Sequence, residues 1–294
     1  MSKFTNYEST AATSYDVTRI PVGIEVYSGM IEKFSPNKLK DSKLLDLGAG
    51  TGSYPKLLLD DGLKHATLLD VSDKMLNQSK EKMAAANYTE ESGRVKFQKN
   101  MLPGIPFEEG SYDVVACTMV IHHLVQATKD DSPGNVNGLK VKDWSPIVET
   151  LKNAAKVLKP KGLLLIGYST PQQRGGNWYA DLVPEAKAKT TVRCPSGKQV
   201  IDFCQQAGFE VVSEMSMMTH YTGYEVYNDE EIFLKNEGAW MMDSVLSSAS
   251  EEELARAKEW VREMKAAGTL REFYEKHDDI PDYGCGRILA AVKK

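Results

Sequence analysis

Apolar positions along this chain follow two alternating rhythms. Short aliphatic runs of strand length recur at Lys43–Leu47, Ala66–Val71, Val95–Gln98, Tyr112–Val120, Leu163–Tyr168, Phe209–Met215 and Ile288–Val292. Between them the spacing turns helical. Tyr54–Asp60 carries Leu57 and Leu58, and Asp73–Ala86 sets Leu76, Ser79 and Met83 on one face. Trp144–Leu158 is the clearest case. Its apolar residues Trp144, Ile147, Val148, Leu151, Ala155 and Leu158 fit the spacing of an amphipathic helix, and Lys159-Pro160-Lys161-Gly162 ends it. A fourth helical pattern runs from Ser196 to Ala207 and stops at Gly208.

Strands without strict polar alternation are buried on both faces, and interleaved helices supply the covering layers. The pattern therefore predicts an α/β fold: a doubly wound, mainly parallel, seven-stranded sheet. Ligands of such a sheet lie beyond the carboxyl ends of the strands, where the strand order reverses. Two stretches stand outside the alternation. Residues 1–42 precede the first strand and read as an N-terminal lid segment, ahead of a main domain spanning 43–294. Residues 217–286 separate the last two strands by far more than a hairpin needs. Within them Ser250-Glu251-Glu252-Glu253 is a capping box, followed by an apolar stripe of Leu254, Ala257, Val261 and Met264 that ends at Gly268. This insertion reads either as a decorated edge of the core or as a cap over the active face.

Composition narrows the class. A chain of 294 residues, 41% hydrophobic and 26% charged, buries a core without staples and is not disordered as a whole. A net charge of −5 with no long basic run argues against a nucleic-acid partner. Cys117, Cys194, Cys204 and Cys285 show no Cys-x-x-Cys spacing and no nearby histidine cluster, so no metal site is expected and the thiols read as reduced. The N-terminus lacks the apolar core of a secretory signal, and the longest aliphatic stretch, Leu163–Ile166, is far too short to span a bilayer. The expectation is a cytoplasmic protein with no membrane partner and an open oligomeric state.

Chemistry concentrates after the first strand. Leu44-Leu45-Asp46-Leu47-Gly48-Ala49-Gly50-Thr51-Gly52 carries a strand into a glycine-rich turn, where backbone can approach a ligand closely. The spacing is G-x-G-x-G. The dinucleotide fingerprint asks for G-x-G-x-x-G, and Ser53 stands where its last glycine belongs. Asp70 closes the second strand, 18 residues after Gly52, where a carboxylate can accept from both hydroxyls of a ribose. His122 and His123 follow the fourth strand. Adjacent side chains diverge, so at most one of them reaches an acceptor as a general base; the other reading is a structural pair.

These motifs in order (LLDLGAGTG, LLDVSDKML, Tyr112-Asp113-Val114-Val115, Thr118-Met119-Val120-Ile121-His122-His123-Leu124 and VLKPKGLLLIG) resemble the class I S-adenosylmethionine-dependent methyltransferases. The nearest subgroup includes the ubiquinone and menaquinone C-methyltransferases. The resemblance covers residues 43 to about 170 well. It implies a Rossmann-like fold, S-adenosylmethionine as cofactor, and transfer of its methyl group to an oxygen, nitrogen, sulfur or carbon of a small molecule. A nicotinamide-dependent oxidoreductase and a non-catalytic nucleoside-binding protein are the alternatives.

By the same resemblance, Gly48, Ala49, Gly50, Thr51 and Gly52 pass beneath the methionine part of the cofactor and Asp46 helps place its amino group. Asp70 binds the ribose, Val71, Met75 and Met101 pack near the adenine, and Asn100 receives the adenine amino group. Thr118 offers a backbone carbonyl. In Ser14-Tyr15-Asp16-Val17-Thr18-Arg19-Ile20-Pro21, Tyr15 and Arg19 match a segment that folds over the cofactor, with Arg19 on its carboxylate. Tyr168, Trp178, Tyr179, Tyr224, Tyr227 and Trp240 are the candidate walls of an acceptor pocket; the plainer reading of most such aromatics is a small second core packing the insertion on the domain.

Overall fold

The computed structural model describes residues 21–132, 135, 138–218, 234 and 243–294. Its centre is a seven-stranded sheet built from β1 (Lys43–Leu47), β2 (His65–Asp70), β3 (Val95–Lys99), β4 (Tyr112–Thr118), β7 (Leu158–Tyr168), β8 (Phe209–Met217) and β9 (Gly286–Lys293). The order across the sheet is β3-β2-β1-β4-β7-β9-β8, with every pairing parallel except the two made by β9. Between β4 and β7 a short antiparallel pair, β5 (Ala127–Lys129) with β6 (Leu139–Val141), forms outside the sheet.

Alternation within the strands divides the core into two layers. Leu45, Leu47, Val115 and Ile166 face α4 (Ser145–Val157) and α7 (Gly197–Gln206). Leu44, Leu68, Val114 and Leu165 face the other way, onto α1 (Ile24–Phe34), α2 (Ser53–Asp60) and α3 (Asp73–Ala85). Helix α1 corrects the reading of residues 1–42 as one lid segment. Tyr27, Met30 and Ile31 are buried in the second layer, so residues 24–34 belong to the packed core.

The insertion does not stand alone. α8 (Glu251–Ala267) and α9 (Leu270–His277) pack with a second piece of chain, α5 (Pro171–Gly175), the 3-10 turn Trp178–Leu182 and α6 (Pro184–Thr191). Together they bury a separate cluster containing Trp178, Tyr179, Leu182, Val245, Leu246, Ala257 and Val261. The short α10 (Ile280–Tyr283) leads into β9.

The chain leaves β1 for β2 and β3 on one side and returns to β4 on the other. The strand order therefore reverses between β1 and β4, and the loops after these two strands flank the resulting crevice.

Candidate functional site

The turn after β1 is built by its glycines. Gly48, Gly50 and Gly52 all have left-handed backbone, at φ of +71°, +55° and +75°. At Gly48 a Cβ atom would come within 2.6 Å of Val120, and at Gly52 within 2.8 Å of Leu68, so these two positions are closed to side chains by both conformation and space. Gly50 faces open space. Its N–H donates to Asp70 Oδ2 (2.8 Å), and Ser72 N–H donates to Asp70 Oδ1 (2.9 Å). The carboxylate at the end of β2 is thus tied to the glycine turn and to the N-cap of α3, where Ser72 Oγ accepts from Met75 N–H (3.2 Å).

Two cavities open at the carboxyl ends of β1 and β4. They share Gly48, Gly50, Thr118 and Met119. The first runs outward past Asp70, Val71, Met75, Asn100, Met101, Leu102, His123 and Leu124. Asn100 donates Nδ2 to the Gly104 carbonyl (2.9 Å), which orients its amide and leaves Oδ1 as the acceptor end. Met101 is exposed.

The second cavity lies where residues 173–177 and Asp243, from the two chain pieces that build the second cluster, meet the carboxyl ends of β1 and β4; that cluster is called the cap below. Its floor is Asp46, Ala49, Thr51, Ser53 and Gly167; Pro21, Tyr27 and Tyr54 close one side; Gln173, Arg174, Asn177 and Asp243 supply the cap side. Tyr27 is held in place from three directions. Its hydroxyl pairs with Thr118 Oγ1 (3.0 Å), its ring packs on Tyr54, and a side chain at Gly167 would collide with its oxygen. Burial, reinforced by Tyr54, pushes the Tyr27 phenol well above its usual range and keeps it neutral. Asp46 is 4% exposed. Burial, and then the charge of Asp70, push its carboxyl up to about 8. Where the cavities meet, Met119 takes φ of +57°, a left-handed conformation costly for a residue with a Cβ, held by its N–H on the Gly167 carbonyl (2.7 Å).

The residues expected from sequence divide accordingly. Asp70, Val71, Met75, Asn100 and Met101 come together in the first cavity, Asp46, Ala49 and Thr51 in the second, and Gly48, Gly50 and Thr118 in both. Gly52 lies behind the turn as the N-cap of α2. The two histidines part company. His123 lines the first cavity, while His122 is buried with Nε2 beside Arg174 Nη2 (3.3 Å), so neither lines the second cavity.

The acceptor walls also need correction. Tyr168 is in the core with its hydroxyl on Glu214, because its strand position points away from both cavities. Trp178 and Tyr179 are buried in the cap cluster, and Tyr179 reaches the cavity only indirectly, donating to Asp243 Oδ2 (3.0 Å). Tyr15, Arg19, Tyr224, Tyr227 and Trp240 lie outside the described residues. Tyr27, Gln173, Arg174, Asn177 and Asp243 escaped the sequence reading. Tyr27 carried a usable signal, an aromatic on the apolar face of a helical pattern ahead of β1; the others sit in segments without periodicity.

A family model for a methyltransferase domain matches residues 23–214, the stretch from α1 through most of β8. The chain belongs to the methyltransferase-domain family. It is a member of the class I S-adenosylmethionine-dependent methyltransferases, and S-adenosylmethionine is the cofactor of that class. The nicotinamide alternative is set aside by this match. The ubiquinone/menaquinone biosynthesis C-methyltransferase UbiE of Rhizobium rhizogenes is 29% identical over 139 residues, 47% of this chain and 45% of that protein. Squalestatin hexaketide synthase of a Phoma species is 32% identical over 136 residues, 42% of this chain but 4% of the synthase. The chain thus matches about half, or far less, of the length of these relatives. A solved structure from Anabaena variabilis, named as a methyltransferase from an antibiotic biosynthesis pathway, superposes with a TM-score of 0.69. It covers 94% of this chain and 99% of its own at 16% identity, which establishes a shared fold.

The donor set fits the cofactor. S-adenosylmethionine joins a planar base, a ribose diol and a zwitterionic amino acid. The first cavity offers apolar walls and a carboxylate; the second offers a buried carboxyl, Asp46, that an ammonium group would stabilise in its ionised form.

Proposed function

We propose that this protein transfers a methyl group from S-adenosylmethionine to a small-molecule acceptor held under the cap. The observation that carries this reading is the meeting of two unlike cavities at Gly48, Gly50, Thr118 and Met119, one suited to a nucleoside and the other carrying the polar side chains of Asp46, Gln173, Arg174, Asn177 and Asp243. Asp70 accepts from the ribose hydroxyls, Val71, Met75 and Met101 flank the adenine, and Asn100 Oδ1 receives its amino group. The Gly48–Gly52 turn, with Ala49 and Thr51, runs beneath the methionine, whose ammonium group lies against Asp46 and the Thr118 carbonyl. Tyr15 and Arg19, expected from sequence over the cofactor, and Tyr224, Tyr227 and Trp240, expected on the acceptor side, lie outside the described residues and remain candidates for those roles. Bound there, the cofactor supplies a sulfonium methyl that an acceptor oxygen, nitrogen, sulfur or carbon attacks in line, the S–CH₃ pair returning to sulfur as S-adenosylhomocysteine leaves.

The chain's own part is alignment and exclusion of water rather than proton transfer by a fixed base. Neither His122 nor His123 lines the second cavity, which supports that emphasis.

Asp70 is the sharpest test. Hydrogen bonds to a charged group are worth about 1.5–3 kcal/mol each, so losing the pair to ribose should weaken S-adenosylhomocysteine binding by at least about tenfold in Asp70→Ala. Isothermal titration measures this, with a melting curve alongside because Asp70 also holds Gly50 and Ser72. Affinity unchanged in a folded variant overturns the assignment.

A further inference from the structure

The cap side of the second cavity is made by one tight segment, residues 170–177, and that segment is fixed in advance. Thr170 caps α5 with a full capping box to Gln173. The Gln173 amide then donates to the carbonyls of Tyr283 (2.8 Å) and Gly286 (3.1 Å), and the Gly176 carbonyl accepts from Asp279 N–H (2.8 Å). A segment tied at both ends to the strand β9 region presents its side chains with little freedom left to lose.

Two of those side chains face the cavity with chemistry of opposite kinds. Arg174 is 9% exposed, lines the cavity, and donates Nη1 to Ser244 Oγ (2.9 Å) and Nη2 to His122 Nε2 (3.3 Å). Asn177, three residues on, is 8% exposed, and its Oδ1 is buried with no hydrogen-bond partner. A buried carbonyl oxygen left without a donor is costly and uncommon in a folded protein. One that lines a cavity marks the place of a ligand N–H or O–H.

We propose that the methyl acceptor is a small hydroxy- or amino-carboxylic acid, its carboxylate on the Arg174 guanidinium and its O–H or N–H on Asn177 Oδ1. The planar fork of arginine suits a carboxylate. An acceptor of this kind contrasts with a quinone, whose apolar body would leave Asn177 Oδ1 unmet. The inference deepens the methyl-transfer reading and rests on it.

The test separates the two. Protein is first saturated with S-adenosylhomocysteine, with binding measured by titration; failure at this step would sink the methyl-transfer reading itself. The loaded protein is then titrated by ligand-observed NMR with glycolate, lactate, glycine, salicylate and anthranilate, each against its primary amide. The expected result is that at least one acid binds tenfold or more tightly than its amide. The preference should vanish in Arg174→Gln, with S-adenosylhomocysteine affinity retained, and Asn177→Ala should weaken that acid while leaving its des-hydroxy or des-amino analogue unaffected. Equal binding of acids and amides, binding of neither set, or a preference that survives Arg174→Gln overturns the proposal. The wild-type comparison needs no variant, so a misfolded Arg174→Gln protein does not remove the test.

Discussion

Asp46 sits between two demands: burial favours its neutral form, and its proposed partner is a cation. With the carboxyl pushed up to about 8 from the usual 3.8, the folded protein carries a proton there across the neutral range that the unfolded chain does not. This group's contribution to stability is therefore fully present below about pH 4 and is lost as pH rises through about 8. An ammonium group bound beside it reverses the preference and expels the proton. S-adenosylhomocysteine affinity should rise with pH up to about 8, with proton uptake by buffer visible as a dependence of the titration heat on buffer ionisation enthalpy. Asp46→Asn should abolish that dependence; if the wild-type heat is already the same in every buffer, no ammonium lies against Asp46. At this scale the legible residues were those whose chemistry is local. Gly48, Gly50, Gly52 and Asp70 announce themselves because a strand-end turn with left-handed backbone admits little but glycine, and because the acid follows at the next strand end. Asp113, within the recognisable Tyr112–Val115 motif, turns out to be structural, accepting from Asn37 Nδ2, Lys43 N–H and Lys159 Nζ. Arg174, Asn177 and Asp243 were invisible because no local spacing records their convergence.

Among the elements, the strands were readable as short aliphatic runs and helix α4 as a periodic apolar stripe. The short pieces that pack into the second cluster were not. α5 and α6 are 5 and 8 residues long, too short for a helical period to establish itself. Residues 250–253 show how a correct local signal can serve a distant purpose. Ser250 Oγ does accept from Glu253 N–H (3.1 Å), but the Glu253 carboxylate does not fold back onto its own helix. Its Oε1 accepts instead from Glu185 N–H (2.7 Å) and Ala186 N–H (3.2 Å), capping α6 across the fold, from a position 1% exposed. The box is half made, and the freed half staples the two pieces of the cap together. Glu253→Ala should therefore cost about 1–3 kcal/mol, more than an exposed cap residue, through two lost bonds to orphaned helix N–H groups. Thermal or denaturant melting measures the loss, and because Glu253 lines neither cavity, S-adenosylhomocysteine affinity should stay near wild type. A variant as stable as the parent would mean that α6 does not depend on this staple.

The whole molecule has two unequal masses of apolar packing. One is the sheet with its two helical layers, whose central strands are buried on both faces; the other is the cap cluster around Trp178, Tyr179, Val245 and Val261. Polar ties join them at the cavity: Arg174 to His122, and Gln173 to the carbonyls of Tyr283 and of Gly286 at the start of β9. Regions with few buried apolar contacts to the rest of a protein open at lower free energy than its core. The cap, closed over its own cluster and tied to the sheet through groups that also line the cavity, should open as a unit without unfolding the sheet. A ligand filling the cavity between them would hold the two together, since anything that binds only the closed form stabilises it by mass action. Native-state hydrogen exchange tests this directly. Amides of α6, α8 and α9 should exchange together, at least about tenfold faster than those of β4 and β7, and should slow on saturation with S-adenosylhomocysteine. The N-terminal residues 10–25 should slow with them if Tyr15 and Arg19 fold over the same ligand. Equal protection of cap and sheet would show a single cooperative body, and exchange in the cap that ignores the ligand would mean that it only decorates the edge of the sheet and takes no part in enclosing the acceptor.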